Sequence, residues 1–137
     1  MAASKSVPSP SLSVQIFGTP DSQPTRAALR FFKERRIEVH LVDLRRKPMA
    51  PGELRRFVDR LGADALADKG SAAWRDAGLA YLRMEDAELA ARLLADQRLL
   101  RLPLVRVGQD VAAGRDEARW KAILAAAASS AAAGAGG

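Results

Sequence analysis

The stretch that most constrains this chain is Phe17-Gly18-Thr19-Pro20-Asp21-Ser22-Gln23-Pro24-Thr25. Ahead of it, Leu12 to Phe17 reads as a short strand with Val14 and Ile16 facing one way. Behind it, Thr25 to Arg36 reads as a helix. Gly18 and Pro20 mark the turn, Asp21 or Ser22 can cap the helix, and Pro24 sits near its first positions, where a missing N–H costs nothing. A strand that ends in a tight turn and opens a helix leaves backbone N–H groups free at the helix start. A low-pKa thiol or a bound anion would sit there. The residue at that place is a serine.

Past the first helix the strand signal returns. Glu38 to Leu44 predicts a second strand, in which Val39, Leu41 and Asp43 alternate with His40, Val42 and Leu44. Strand, helix and strand in so few residues form a βαβ unit with parallel strands and a right-handed crossover. Phe31 and Phe32 are expected core anchors of the first helix, and Arg35-Arg36 near its end suit the helix dipole. No strand pattern occurs from Pro48 to Leu100. Leu54, Phe57, Val58 and Leu61 recur at helical spacing after Pro51. Asp64 can cap a brief turn through Leu66, and Ser71 can start another around Trp74. Glu85 to Leu94 is amphipathic. This is a helical insertion at about 48–100 beside a small sheet.

Leu102 to Val107 predicts a third strand with Pro103 at its start, where proline is tolerated. A turn at Gly108-Gln109-Asp110 leads to a short fourth strand, Val111 to Ala113, in an antiparallel hairpin. From Asp116 the chain is helical, with Trp120, Ile123, Leu124 and Ala127 on one face. The order predicts an α/β domain of thioredoxin-like fold over 12–128: a four-stranded mixed sheet, helices on both faces and an all-helical insertion between strands 2 and 3. Residues 1–11 read as a disordered leader and 129–137 as a flexible tail. A site then belongs at the C-terminal end of the first strand.

Composition removes several kinds of chemistry. With 137 residues the chain is one domain, and 48% hydrophobic content is globular. No cysteine is present, so disulfides, thiolate metal sites and thiol redox chemistry on this chain are excluded. The one histidine, His40, lies on the second strand, which argues against a histidine zinc site or a Ser-His-Asp triad. No metal or cofactor is expected. No apolar run reaches the roughly 20 residues of a membrane span, and Ser4 to Ser11 carries no signal-peptide core, so the expected setting is cytoplasmic.

The net charge of +6 is uneven: Arg26 to Arg60 holds eleven bases against five acids, which is the whole excess. That surface is either a solvated helical face in an arginine-rich chain or a patch that meets an acidic protein. Nucleic acid is not the expected partner, because no aromatics are interleaved with the bases. A monomer is the expected state.

Taken together, the Phe17-Gly18 turn, Arg26-Ala27-Ala28-Leu29-Arg30-Phe31-Phe32, Val42-Asp43-Leu44-Arg45, Pro103-Leu104-Val105 and Gly114-Arg115-Asp116-Glu117 before Trp120 carry a resemblance. From about Ser13 to Leu124 the chain resembles the arsenate reductase-like (ArsC/Spx) branch of the thioredoxin superfamily. That branch holds glutaredoxin-linked arsenate reductases and Spx-type regulators that bind RNA polymerase. In the active reductases, a cysteine at the mouth of the first helix attacks arsenate. Three arginines hold the oxyanion and lower the thiol pKa, and glutathione with glutaredoxin resolves the intermediate.

The resemblance puts Ser22 at the cysteine position. The first arginine falls near Asp68 or Lys69, of which only Lys69 keeps the charge. The second directly precedes the strand-3 proline; that residue is Leu102, with Arg101 one step earlier and expected on the other side of the strand. The third matches Arg115. A serine hydroxyl without a general base is a poor nucleophile and cannot cycle through disulfide or arsenic–sulfur states.

The resemblance therefore implies a redox-inactive protein. What it would retain is a weak oxyanion or thiol-peptide pocket built from Gln23 to Thr25, Ser22, Lys69, Arg101 and Arg115, shaped by Gly18 and Pro103. Against this stand plainer roles, Ser22 as a helix cap and Arg115 as a salt bridge or cap. Two alternatives stay open: an Spx-like interaction module using the basic surface, and an oxidoreductase whose natural residue 22 is cysteine.

Overall fold

The computed structural model describes residues 12–136, with side-chain surroundings given as far as Ser129. The leader expected over 1–11 lies outside the described residues. The elements run β1 Ser13–Gly18, α1 Gln23–Glu34, β2 Glu38–Asp43, α2 Pro51–Leu61, α3 Ala63–Leu66, α4 Ala72–Asp76, α5 Asp86–Ala95, a 3-10 turn at Gln97–Leu99, β3 Leu104–Val107, β4 Asp110–Ala113 and α6 Glu117–Gly136. The sheet order is β2-β1-β3-β4. β1 and β2 are parallel, with Ile16 opposite Leu41, whereas β3 is antiparallel to both β1 and β4.

Strand alternation assigns the two faces, since successive side chains point oppositely. Val14, Ile16, Val105, Val107 and Ala112 face α1 and α6, where they bury Ala28, Phe31, Phe32, Trp120 and Ile123. Phe31 stacks edge-on against Phe32 at 4.9 Å and lies 5.3 Å from Trp120. Phe17, Leu104 and Val111 face the insertion and pack with Leu54, Phe57, Leu66, Trp74, Leu89, Leu93 and Leu99. Phe57 meets Phe17 edge-to-face at 5.8 Å. Both layers are as the sequence pattern predicts.

The differences lie in element ends and caps. α1 opens at Gln23 rather than Thr25, because Ser22 takes the capping position. β3 begins at Leu104: the Leu102–Pro103 peptide is cis and Pro103 has no N–H for a ladder. Asp64 does not cap α3. Its first N–H, on Ala63, donates to Asp86 of α5 at 2.8 Å, and Asp64 lies inside the helix. Ser71 caps α4 as expected, accepting from Trp74 N–H at 3.1 Å. The backbone of α6 continues to Gly136, past the Ser129 at which the sequence suggests a tail. Helix α2 is pinned to the sheet by a half-buried pair, Arg106 Nε to Glu53 at 2.8 Å, while Arg106 also donates to Gln15.

Candidate functional site

The C-terminal end of β1 and the start of α1 are pressed together at Gly18 and Thr25. A Cβ on Gly18 would stand 2.4 Å from Thr25 Oγ1, so only glycine lets the helix start lie this close to the strand end. Thr25 is fully buried, and its hydroxyl has no hydrogen-bond partner among the described residues. Extending the β1–β3 register by one step places Pro103 beside Gly18. Pro103 O in turn accepts from Gly114 N–H at 2.9 Å. Gly18, Pro103 and the helix start thus form one wall.

At that wall Ser22 is a cap. Its Oγ accepts from Thr25 N–H at 3.3 Å, its carbonyl accepts from Arg26 N–H, and its own N–H donates to Thr19 O. Pro24 has no N–H. Of the three positions Gln23 to Thr25, only Gln23 keeps an N–H with no partner among the described residues. The anion nest drawn from the sequence is reduced to a single donor.

Each of the expected cations has a partner of its own. Lys69 is bonded to Asp64 and lies 6.0 Å from the Trp74 ring. Arg101 runs its stem against Gly114, where a Cβ would meet its Cδ at 2.6 Å, and its guanidinium donates to Ala67 O at 3.3 Å. Arg115 is exposed and donates to Glu117 at 3.2 Å, while Asp116 caps α6 by accepting from Arg119 N–H at 3.0 Å. So Arg101 and Arg115 flank one turn, and each is held by its own partner. His40 is exposed on β2 and sits 3.5 Å from Glu38, so no hydrogen bond joins it to the serine.

A different set of residues surrounds the opening. A groove of about 670 Å³ is lined by Thr19, Asp21, Leu44, Arg45, Pro48, Leu94, Ala95, Asp96, Gln97, Arg98 and Leu102. Its volume falls within the roughly 300–1,000 Å³ of small-molecule sites. Leucines, proline and alanine supply an apolar floor, and two Arg–Asp combinations supply the rim. Arg45 reaches Asp21 at 3.7 Å and Asp43 at 3.5 Å; Arg98 holds Asp96 with two bonds of 2.9 and 2.8 Å.

The Thr19 hydroxyl, then the backbone N–H of Asp21 itself, and after them Arg45 and Arg26, hold the Asp21 carboxyl below its ordinary value. The Arg98 hydrogen bonds do the same for Asp96. Gln97 fixes the groove's far side by exchanging two bonds with the Met49 backbone, at 2.7 and 2.9 Å. Leu102 lines the groove, and its backbone N–H and C=O have no partner among the described residues. A main chain with open hydrogen-bonding groups at the wall of a groove can pair with a peptide.

Arg98, Asp96 and Gln97 line this groove, and the sequence pattern does not single them out. They reach the site through an approach between residues 48 apart, as in Met49 and Gln97, for which no local pattern exists. Among the described residues no group of three His, Cys, Asp or Glu could hold a metal ion. No described helix is long and apolar enough to cross a membrane.

Parallel β1 and β2, an antiparallel β3–β4 hairpin, a helical insertion and a capped helix start beside a cis proline define a thioredoxin-like domain with an all-helical insertion. Within that class the ArsC family model matches residues 17–123, and the chain belongs to the ArsC family. Solved structures agree on the fold. An ArsC family related protein from Bacteroides fragilis superposes with a TM-score of 0.73 at 17% identity, over 81% of this chain and 97% of that one. An arsenate reductase from Vibrio cholerae gives 0.68 at 19% identity, over 77% and 92%. An arsenate reductase related protein from Brucella melitensis gives 0.62 at 18% identity, over 82% and 94%. No curated protein sequence matches the chain.

Proposed function

We propose that this protein is a redox-inactive ArsC-family protein that binds a small thiol peptide of the glutathione type without reacting with it. The observation that carries the reading is the groove beside Leu102 and Thr19. It joins unpaired main-chain groups to a rim of both charges. A zwitterionic peptide with two carboxylates and one ammonium matches Arg45, Arg98 and Asp21 better than a bare oxyanion does, since the acids on the rim repel an anion. The chemistry of arsenate reduction has no sulfur to run on, because the chain has no cysteine, and the Ser22 hydroxyl has no hydrogen-bonded histidine among the described residues to activate it. The matching setting is the cytoplasm, where glutathione is held reduced.

Titration of the labelled protein with glutathione, phosphate and arsenate, followed by backbone NMR, tests it. Shifts at Thr19, Asp21, Arg98 and Leu102 with glutathione, weaker ones with the oxyanions, and no arsenate turnover in the presence of glutathione and glutaredoxin are the expected results. Turnover by the chain as it stands, or shifts at Ser22 and Arg115 with arsenate alone, would overturn the reading.

The Spx-like alternative has one observation in its favour. Arg30, Arg36, Arg46, Lys47, Arg55 and Arg56 make no salt bridge among the described residues, so their charge is available to a partner. If the natural residue 22 were cysteine, the thiol would sit at the helix start next to Asp21 and one free N–H. We expect Ser22→Cys to give a reactive thiol but little arsenate reduction, because Lys69, Arg101 and Arg115 are held by Asp64, Ala67 O and Glu117.

A further inference from the structure

We propose that the outer edge of β2 receives an extended acidic segment of a partner protein as a fifth strand. β2 is the end strand of the sheet, and its inner hydrogen bonds set its parity. Glu38 N–H donates to Leu12 O at 3.3 Å and Leu44 N–H to Gly18 O at 2.9 Å, so even-numbered residues face β1. The N–H and C=O groups of Val39 and Leu41, and the N–H of Asp43, therefore point away from the sheet. The Asp43 carbonyl is already used, accepting from Arg46 and Lys47 N–H at 2.9 Å each.

Natural edges are blunted by proline, lysine, a bulge or a covering element. β2, with sequence Glu-Val-His-Leu-Val-Asp, has no proline, lysine or bulge, its charged residues Glu38 and Asp43 stand at its two ends, and Leu41 is 36% exposed. The opposite edge differs, because Arg119 of α6 donates to Val111 O of β4 at 3.3 Å.

Charge selects the occupant. Arg35 and Arg36 precede the strand, and Arg45, Arg46 and Lys47 follow it. The strand's own acids are engaged, Glu38 with His40 at 3.5 Å and Asp43 with Arg45 at 3.5 Å. At the strand's end an open groove of about 640 Å³ is lined by Pro20, Leu41, Val42, Asp43, Arg45, Arg46 and Lys47. A second copy of this chain is a poor occupant. Paired antiparallel, it would set Arg35-Arg36 against its partner's basic loop; paired parallel, it would stack like on like. Strand addition supplies affinity through the main chain, and alternate side chains supply the choice of partner. Here an apolar residue would meet Leu41, with acids over the two basic ends. The β2 edge shares no backbone group with the Leu102 wall, but Arg45 lines the grooves at both.

The test uses the full chain and an eight-residue peptide of alternating glutamate and valine. A lysine–valine peptide of the same length and a glutamate–valine peptide with a central proline serve as controls. Binding should slow hydrogen exchange of the Val39 and Leu41 amides at least tenfold and leave His40 and Val42 unchanged. Neither control should do so, and Arg46→Glu with Lys47→Glu, outside the strand, should weaken the effect at least tenfold. Equal protection by the lysine–valine peptide, or no protection by the acidic one, would overturn the proposal. So would protection of Val39 and Leu41 in the free chain that grows with protein concentration, which would make the occupant a second copy.

Discussion

The start of α1 and the outer edge of β2 lie on neighbouring parts of one sheet and treat their backbone groups in opposite ways. At the start of α1, the Ser22 hydroxyl takes one helix N–H, Pro24 lacks one, and one N–H remains open. The cations that the family's chemistry would bring there are bonded elsewhere. Among the described residues, a row of main-chain donors and acceptors at β2 has no partner, and the surrounding cations Arg36, Arg46 and Lys47 have no salt bridge. Self-satisfaction makes the first region a structural joint. Openness is what the proposed strand addition at the second would use.

The largest effect should come from filling the joint. Gly18→Ala puts a methyl 2.4 Å from the buried Thr25 hydroxyl and should cost about 3 kcal/mol in urea unfolding, as overpacking does. Combining it with Thr25→Ala should recover most of that loss, because the two groups compete for one space. If Gly18→Ala unfolds at the parent's midpoint, the joint is looser than that distance implies.

Capping is worth less. Ser22→Ala should lower stability by about 1 kcal/mol. Thr25→Val should act with the opposite sign, raising stability by about 1 kcal/mol, since it replaces a buried hydroxyl that has no partner with a methyl of similar shape. Both are read from the urea midpoint at constant slope. A destabilised Thr25→Val would mean that the hydroxyl is bonded in solution.

At the open edge the same measurement should hardly move. Leu41→Thr, on an exposed strand position, is expected to change stability by less than about 0.5 kcal/mol. The smallest effect is in pH. The Asp21 carboxyl is held below its ordinary 3.8, first by the Thr19 hydroxyl. A depressed carboxylate stabilises the fold above that value, and the contribution is lost as pH falls through the lower folded-state midpoint. Asp21 is exposed, so the loss is slight. The checkable part is its carboxyl titration by carbon NMR, which should have its midpoint below 3.8 and move up toward it in Thr19→Val.

Most of the fold is legible in local pattern. Val14 and Ile16 alternate with Phe17, Leu54 and Phe57 lie on one helix face, and Phe31-Phe32 anchor α1 as expected. What pattern does not carry is contact between distant residues. Asp86 caps α3 across 23 positions, Gln97 clasps Met49 across 48, and Arg106 finds Glu53 across 53. The groove rests on the second of these, so Arg98 and Asp96 could not be anticipated as its rim. The pairing of Arg115 is different. Glu117 lies two residues away, and the plain salt-bridge role is visible in the sequence beside the oxyanion role.

The proposed function is recognition of a thiol peptide without use of its sulfur. Isothermal titration with glutathione and with S-methylglutathione tests it most directly. Equal dissociation constants within about twofold, with the same NMR shifts at Thr19, Asp21 and Leu102, are the predicted result, because in the proposed binding mode Arg45, Arg98, Asp21 and the Leu102 main chain would meet the carboxylates, ammonium and peptide groups rather than the thiol. A loss of binding on S-methylation, or no binding of either peptide, would contradict it.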